Sequence, residues 1–423
     1  MAGTSGTSGT EETAGTGGTG AGAPLAGTRV VDFGQYIAVP GGTQTLADLG
    51  ADVIKVEPPG GDQARGIGAY GEAIMRGYNR GKRAVVLDLR DPADRAAALR
   101  LAASADVVAQ NLRPGVLARF GLGPADVRAV NPRAVYLTVT GFGTGGPSRA
   151  RPGLDIAAQA ESGIMAVTGA ADGEPQRVGF PVVDHATALV VAQAVLAALL
   201  RRERTGEGDE IEVSLLEVAV HLQTVNWGEY GVTGAEPVRT GNGQPSAAPA
   251  ADVVGTADGA VVVSAYTRER FARLCELIGR PDMAADPRFA DNAARVAHRP
   301  LLLAALSAAF GAMTSEEAVG TLAAAGIVAG AVRGYRAVRA APDVAASGVF
   351  VPATAADGTP YEVPGLPYRS VRYGRHAAPG RVPALGEHHD AVLAELDGTA
   401  PAAGPDAAGP DAGPDAAGPD GRG

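Results

Sequence analysis

Asp184 heads the most apolar stretch of the chain, within Gly179-Phe180-Pro181-Val182-Val183-Asp184-His185-Ala186. An aspartate in such a place has two uses. It can cap an early helix N–H, which is worth about 1 kcal/mol and involves no chemistry. The same position also keeps a carboxylate ionised, because the positive end of the helix macrodipole faces it. An ionised carboxylate can attack a carbonyl carbon. His185, next in sequence, reads as a polar residue of the first helical turn rather than a base. The stretch by itself leaves cap and nucleophile both open.

Other chemistries find little support. His388-His389-Asp390 is the one local group of metal-ligand types, and neighbours on a helix point about 100° apart, so they do not converge on an ion. No metal site is expected. H-E-x-x-H, a Walker A loop and a G-x-S-x-G elbow are all missing. The first strand runs into Gly34-Gln35-Tyr36-Ile37 without G-x-G-x-x-G, which argues against a nicotinamide dehydrogenase. The single cysteine, Cys275, sits among Phe271, Leu274, Leu277 and Ile278 at helical spacing and reads as core. One thiol excludes an internal disulfide and a four-thiolate zinc site. With no secretory apolar region at the N-terminus, it points to the cytoplasm. A net charge of −10 argues against coating nucleic acid. The longest apolar run, Ala186–Leu200, is shorter than the roughly 20 residues that span a bilayer, so no membrane partner is expected.

The elements that must position Asp184 follow an alternating pattern. Strands are expected at Arg29–Phe33, Asp52–Val56, Ala84–Leu89, Asp106–Gln110, Val135–Thr140 and Ile211–Ser214. Helices are expected at Thr43–Leu49, Pro92–Ala103, Val116–Phe120, Pro124–Val130 and Asp184–Arg202. Strands alternating with helices favour an α/β fold: a Rossmann-like large domain with a parallel sheet. From about Gly241 the character changes to a strand at Val261–Ala265 and helices at Arg268–Ile278, Arg299–Phe310 and Ser315–Ala325, a smaller α+β domain. The expected division is residues 25–225 for the large domain, 226–245 a linker, 246–345 the small domain, 346–380 a second linker and 381–396 a return to the large domain. Residues 1–24 and 397–423, built from Gly, Thr, Ala, Pro and Asp, are expected to be disordered tails.

Several further segments resemble CoA-transferase family III, the family of formyl-CoA transferase. They are Leu46 to Glu57 (Leu-Ala-Asp-Leu-Gly-Ala-Asp-Val-Ile-Lys-Val-Glu), Gly60-Gly61-Asp62 with Arg65, and Asn79-Arg80-Gly81-Lys82-Arg83 running into Leu87-Asp88-Leu89. Asn111-Leu112-Arg113-Pro114-Gly115, Thr140-Gly141-Phe142-Gly143, Gly153-Leu154-Asp155 and Thr205-Gly206-Glu207-Gly208 continue the likeness, which runs from about Leu25 to Leu396. The resemblance implies an interlocked homodimer and an exchange of CoA between an acyl-CoA and a carboxylic acid, with no prosthetic group. Asp184 would be the nucleophile, passing through an anhydride to an aspartyl-CoA thioester.

The resemblance also implies site residues. Gly241 and Gly243, in Gly241-Asn242-Gly243-Gln244, are candidates to offer N–H groups to the oxyanion, or form a plain turn. The CoA positions would be Ile37, Ala38, Leu87, Asn111, Leu112, Arg113 and Arg119. Arg65 and Arg83 suit the phosphates as bidentate cations, Arg65 in particular because Pro58 stands where some members carry arginine. 2-Methylacyl-CoA racemases share the fold but carry Gly-His-Asp where this chain has Gly153-Leu154-Asp155, and Leu154 cannot exchange a proton. Asp155 then becomes a second carboxylate that orients substrate or nucleophile, or a helix cap. A CoA-binding protein without turnover is the remaining alternative, and it has no use for Asp184 beside a thioester.

Overall fold

The computed structural model describes residues 22–243, 251–371, 374–377 and 380–398. In chain order the elements begin β1 (Arg29–Asp32), α1 (Ala38–Asp48), β2 (Asp52–Glu57), α2 (Gly68–Tyr78), β3 (Arg83–Val86), α3 (Pro92–Ser104), β4 (Val107–Gln110), α4 (Pro124–Val130) and β5 (Val135–Thr140). There follow α5 (Asp155–Glu161), α6 (Ile164–Val167), α7 (Val182–Thr205), β6 (Asp209–Ser214), α8 (Leu215–His221) and α9 (Thr224–Thr233). Next come β7 (Ala251–Gly255), β8 (Ala260–Ser264), α10 (Arg268–Leu277), α11 (Asp282–Ala285), α12 (Asn292–Ala297), α13 (Arg299–Phe310), α14 (Ser315–Ala324) and β9 (Val328–Ala331). The last are α15 (Tyr335–Ala340), α16 (Pro342–Ser347), β10 (Phe350–Thr354), β11 (Pro360–Pro364) and α17 (His389–Leu396).

The described residues divide into two compact units: those within 22–140, 185–213 and 350–398 form the first, and those within 141–184 and 214–349 the second. This division differs from the expected one. Residues 141–184 and 214–225 join the second unit because α5 packs on α8 and neither adds a strand to the sheet. The expected linker 226–245 holds most of α9, and the linker 346–380 holds the β10–β11 hairpin. Of the expected tails, residues 1–21 and 399–423 lie outside the described residues.

The first unit is built on a six-stranded sheet in the order β3-β2-β1-β4-β5-β6. The pairs β3–β2, β2–β1, β1–β4 and β4–β5 are parallel, with Val31 facing Ile54 on one side and Val108 on the other. Valine-rich strands buried on both faces are what crossover helices require. Leu101 and Ala98 of α3, Val127 of α4 and Val392 of α17 close one face around Val31, Ile54, Val85 and Val108. Asp91 caps α3 by accepting from the N–H groups of Ala93 and Asp94, with Pro92 at the first helical position.

Helix α7 exceeds its expected span at both ends, and at 24 residues it is long and apolar enough to cross a membrane by length and composition. Its Val191 and Ala188 are buried against α1, where a Cβ on Gly42 would lie 2.3 Å from Val191 Cγ1 and one on Gly41 2.8 Å from Ala188 Cβ. Two adjacent glycines thus let the helices touch through their backbones.

The second unit has its own core. Its antiparallel sheet β7-β8-β9 packs Val254, Val261 and Val263 against Phe271 and Leu274 of α10, Leu302 and Leu306 of α13, and Leu322 of α14. Cys275 is fully buried there.

Candidate active site

Asp184 is the third residue of α7, inside the helix, so it is not the cap. That task falls to Asp155, whose Oδ1 accepts from the N–H groups of Val183 (2.7 Å) and Asp184 (3.1 Å). Asp155 does not cap its own helix, α5, of which it is the first residue. Its other oxygen accepts from Gln159 Nε2, one helical turn on, and Gln159 Oε1 accepts from the Val178 N–H at 2.8 Å. The carboxylate that closes α7 is therefore itself fixed on both sides.

The consequence falls on Asp184. Among the described residues its half-buried carboxyl accepts no hydrogen bond and meets no cation. Burial, and then the negative charge of Asp155, push it up to about 7 from an ordinary 3.8. The expectation that the macrodipole keeps Asp184 fully ionised is overturned: Asp155 already occupies the positive end of the helix and adds repulsion. An acid with a raised value is a stronger nucleophile once it loses its proton, and near neutral pH both forms are populated. His185 Nδ1 lies 3.2 Å from Tyr78 Oη, and the partial burial of its ring holds the imidazole below the usual range.

Within the first unit, the strand order reverses between β1 and β4, and in open α/β sheets that reversal marks the ligand crevice. Asn111, just past β4, clamps the loop that follows β1: its Oδ1 accepts from the Gln35 N–H (2.8 Å) and its Nδ2 donates to the Gln35 carbonyl (2.9 Å). The Leu112 N–H donates to Gln110 Oε1 at 2.7 Å. Ala38 begins α1. Ile37 and Leu87 are buried in apolar clusters, so their side chains belong to the core rather than to a ligand. Arg113 and Arg119 are exposed and, among the described residues, their guanidinium groups have no protein partner.

The other candidates fare differently. Arg65 is spent on Glu57, Nε to Oε2 at 2.7 Å and an Nη to Oε1 at 2.8 Å. Arg83 bonds Asp52 and Glu395, each at 2.6 Å. Both are structural cations here, a correction to their expected phosphate role. The Gly241 N–H donates to the Gly169 carbonyl (3.1 Å) and the Gly243 N–H to the Thr240 carbonyl (3.3 Å). With both donors already bonded to backbone carbonyls, the oxyanion role expected of them is not supported; Gln244 lies outside the described residues. His388, read as one of three neighbouring ligand types that do not converge, accepts from the Ala84 N–H through Nδ1 at 3.2 Å.

Comparison with known proteins gives this arrangement a context. The family described as CoA-transferase family III matches residues 25–389. The chain belongs to CoA-transferase family III. It is similar to the succinate–glutarate CoA-transferase of Agrobacterium fabrum, 37% identical over 391 residues, covering 88% of this chain and 96% of that protein. It is 42% identical over 326 residues to a probable fatty acyl-CoA transferase of Mycobacterium tuberculosis, covering 72% of this chain and 82% of that protein. A crystal structure of a CaiB/BaiF family protein from Brucella suis superposes with a TM-score of 0.80 at 36% identity, covering 89% of this chain and all (100%) of that one.

Sequence reasoning on this family III transferase passed over the work of four residues. Gln159 had a signal, since it lies four positions after Asp155 on a helix. Lys55 and Asp62 stand inside motifs that carry the family likeness, yet nothing in their order shows that they pair at 2.8 Å. Nothing in the residue order shows that the backbone of Tyr36 is left-handed, with φ 61°.

Proposed function

We propose that this transferase moves CoA from an acyl-CoA to a carboxylic acid through Asp184. One observation carries the reading: the α7 N–H groups an aspartate would cap are taken by Asp155, which leaves the Asp184 carboxyl raised to about 7 and without structural employment. The ionised carboxylate attacks the thioester carbonyl, the C–S bond breaks, and CoA thiolate leaves a mixed anhydride. The thiolate then attacks the aspartyl carbonyl, releasing the donor acid and leaving an aspartyl-CoA thioester. The acceptor carboxylate attacks that thioester and expels the thiolate again. Attack on the acceptor's carbonyl completes the exchange and regenerates Asp184, with no net proton. Splitting one transfer into such steps is the gain of covalent catalysis.

Arg113 and Arg119, the unpartnered cations, suit the CoA phosphates, beside the loop that Asn111 clamps. Relatives named for succinate–glutarate and for succinyl-CoA:mesaconate exchange support a dicarboxylate as acceptor. Leu154, exposed beside Asp155, argues against the racemase chemistry because it holds no proton to exchange. A homodimer is supported by the apolar side chains that α8 and α9 leave exposed, among them Val225, Trp227 and Val232. The test is mass spectrometry after incubation with succinyl-CoA and hydroxylamine trapping. A modified Asp184 peptide is expected, absent in Asp184→Asn, whose turnover falls by about a thousandfold or more. An unmodified wild type that exchanges α-protons in deuterated water would favour the racemase.

A further inference from the structure

Beneath the ends of β1 and β2 lies a set of charges that the transfer chemistry does not use. Lys82 Nζ is 2.9 Å from Asp32 Oδ2 and Lys55 Nζ 2.8 Å from Asp62 Oδ2, and all four side chains are fully shielded from solvent. Replacing such a pair with apolar side chains is often neutral or stabilising, so stability alone does not explain it. Three of the four, Asp32, Lys55 and Asp62, also grip the backbone of the loops above. Asp32 Oδ1 accepts from the Gly34 N–H (2.7 Å), and Lys55 Nζ donates to the Gly34 carbonyl (2.8 Å). Asp62 Oδ1 accepts from the N–H groups of Ala64 (2.9 Å) and Tyr36 (3.2 Å). Asn111 holds Gln35 from the other side.

All these bonds but the one from Ala64 converge on three residues, Gly34, Gln35 and Tyr36, and one of them is strained. Tyr36 is the only residue other than glycine, among the described residues, with a left-handed backbone. That conformation brings a Cβ too close to the following carbonyl, and it persists only where the surroundings over-determine it. Here they do. Tyr36 immediately precedes Ile37 and the first turn of α1, so its φ decides where the loop leads.

We infer that the buried Lys55–Asp62 pair is a positioning device that holds Tyr36 left-handed and so fixes the Gln35–Ala38 loop for CoA. The inference rests on the proposed CoA-binding use of that loop. Lys55 and Asp62 are positioning residues; neither touches the reacting atoms.

The test compares Tyr36→Val with Tyr36→Gly. Both delete the phenol, but valine resists the left-handed region and glycine adopts it freely. The expected result is a KM for acyl-CoA about tenfold higher in Tyr36→Val than in Tyr36→Gly, with similar kcat. Asp62→Asn is expected to raise KM in the parent and much less in a Tyr36→Gly background, a rescue that a merely structural role would not give. Equal KM values in the two Tyr36 variants would overturn the inference. Amide hydrogen exchange of residues 34–38 without ligand separates the two layers. Faster exchange in Tyr36→Val and Asp62→Asn than in Tyr36→Gly supports the holding role even if CoA fails to bind the wild type, an outcome that would count against the proposed function instead. Unchanged exchange in all three variants would also overturn it.

Discussion

The head of α7 and the base of the β1–β2 loops both bury carboxylates, and they treat them in opposite ways. At the loop base Asp32 lies against Lys82 and Asp62 against Lys55, with a second oxygen of each on the backbone. Burial pushes Asp32 upward, but the charges of Lys82 and Lys55 and the Thr43 hydroxyl outweigh it and hold the group below its ordinary value. Burial drives Lys82 down to about 8, with Asp32 opposing. At the head of α7 nothing offsets burial, and the nearest charge is another acid. Pairing makes a carboxylate a fixed point; leaving it unpaired keeps it reactive.

The contrast can be broken most severely at the loop base. Lys55→Met leaves Asp62 buried without its cation, a loss of about 3–5 kcal/mol in unfolding free energy measured by urea denaturation. A loss near zero would mean that the pair is not what anchors the loops. The arginines divide along the same line. Arg113→Ala would remove the charge-assisted bond to a phosphate proposed for it and is expected to raise the KM for acyl-CoA about tenfold while leaving the unfolding curve in place. Arg83→Ala breaks the bonds to Asp52 and Glu395, so its cost is expected in stability and not in KM. Reversed outcomes would exchange their roles.

The smallest effect sharpens the other side. Because the proposed attack needs an ionised Asp184, kcat/KM is expected to fall as pH drops through about 7. Asp155→Asn keeps an oxygen for the Val183 N–H and removes the repelling charge, so the acid limb moves to lower pH. A limb that stays put would assign it to another group.

Much of this was legible in the order of residues. The alternation of strand and helical patterns placed every strand of the large sheet, and for β1 to β5 the reason is that parallel strands buried on both faces demand valine-rich runs. Asp184 stood out because an acid at the head of an apolar helix is a recognisable pattern. The pattern could not say which carboxylate does the capping, since Asp155 lies 29 positions away from Asp184 and reaches it only in the folded chain. For the same reason Arg65 and Arg83 looked like phosphate ligands: a cation's partner is a tertiary fact, and Glu395 is 312 positions from Arg83. Helix α9 escaped notice because Gly228 and Gly231 lower its local propensity.

The glycine pair of α1 sets a limit on how this enzyme can be engineered. Helical glycines are the usual targets for thermostabilisation, since alanine there typically adds about 0.4–1 kcal/mol by restricting the unfolded chain. At Gly42 the added methyl would meet Val191 at 2.3 Å, and at Gly41 it would meet Ala188 at 2.8 Å. Relief would have to come from sliding α1 off α7, and α1 begins in the loop that Asn111 and Asp62 hold in place. The two positions most inviting to a consensus-driven redesign are thus the ones where hardening the scaffold would mistune the loop proposed for CoA.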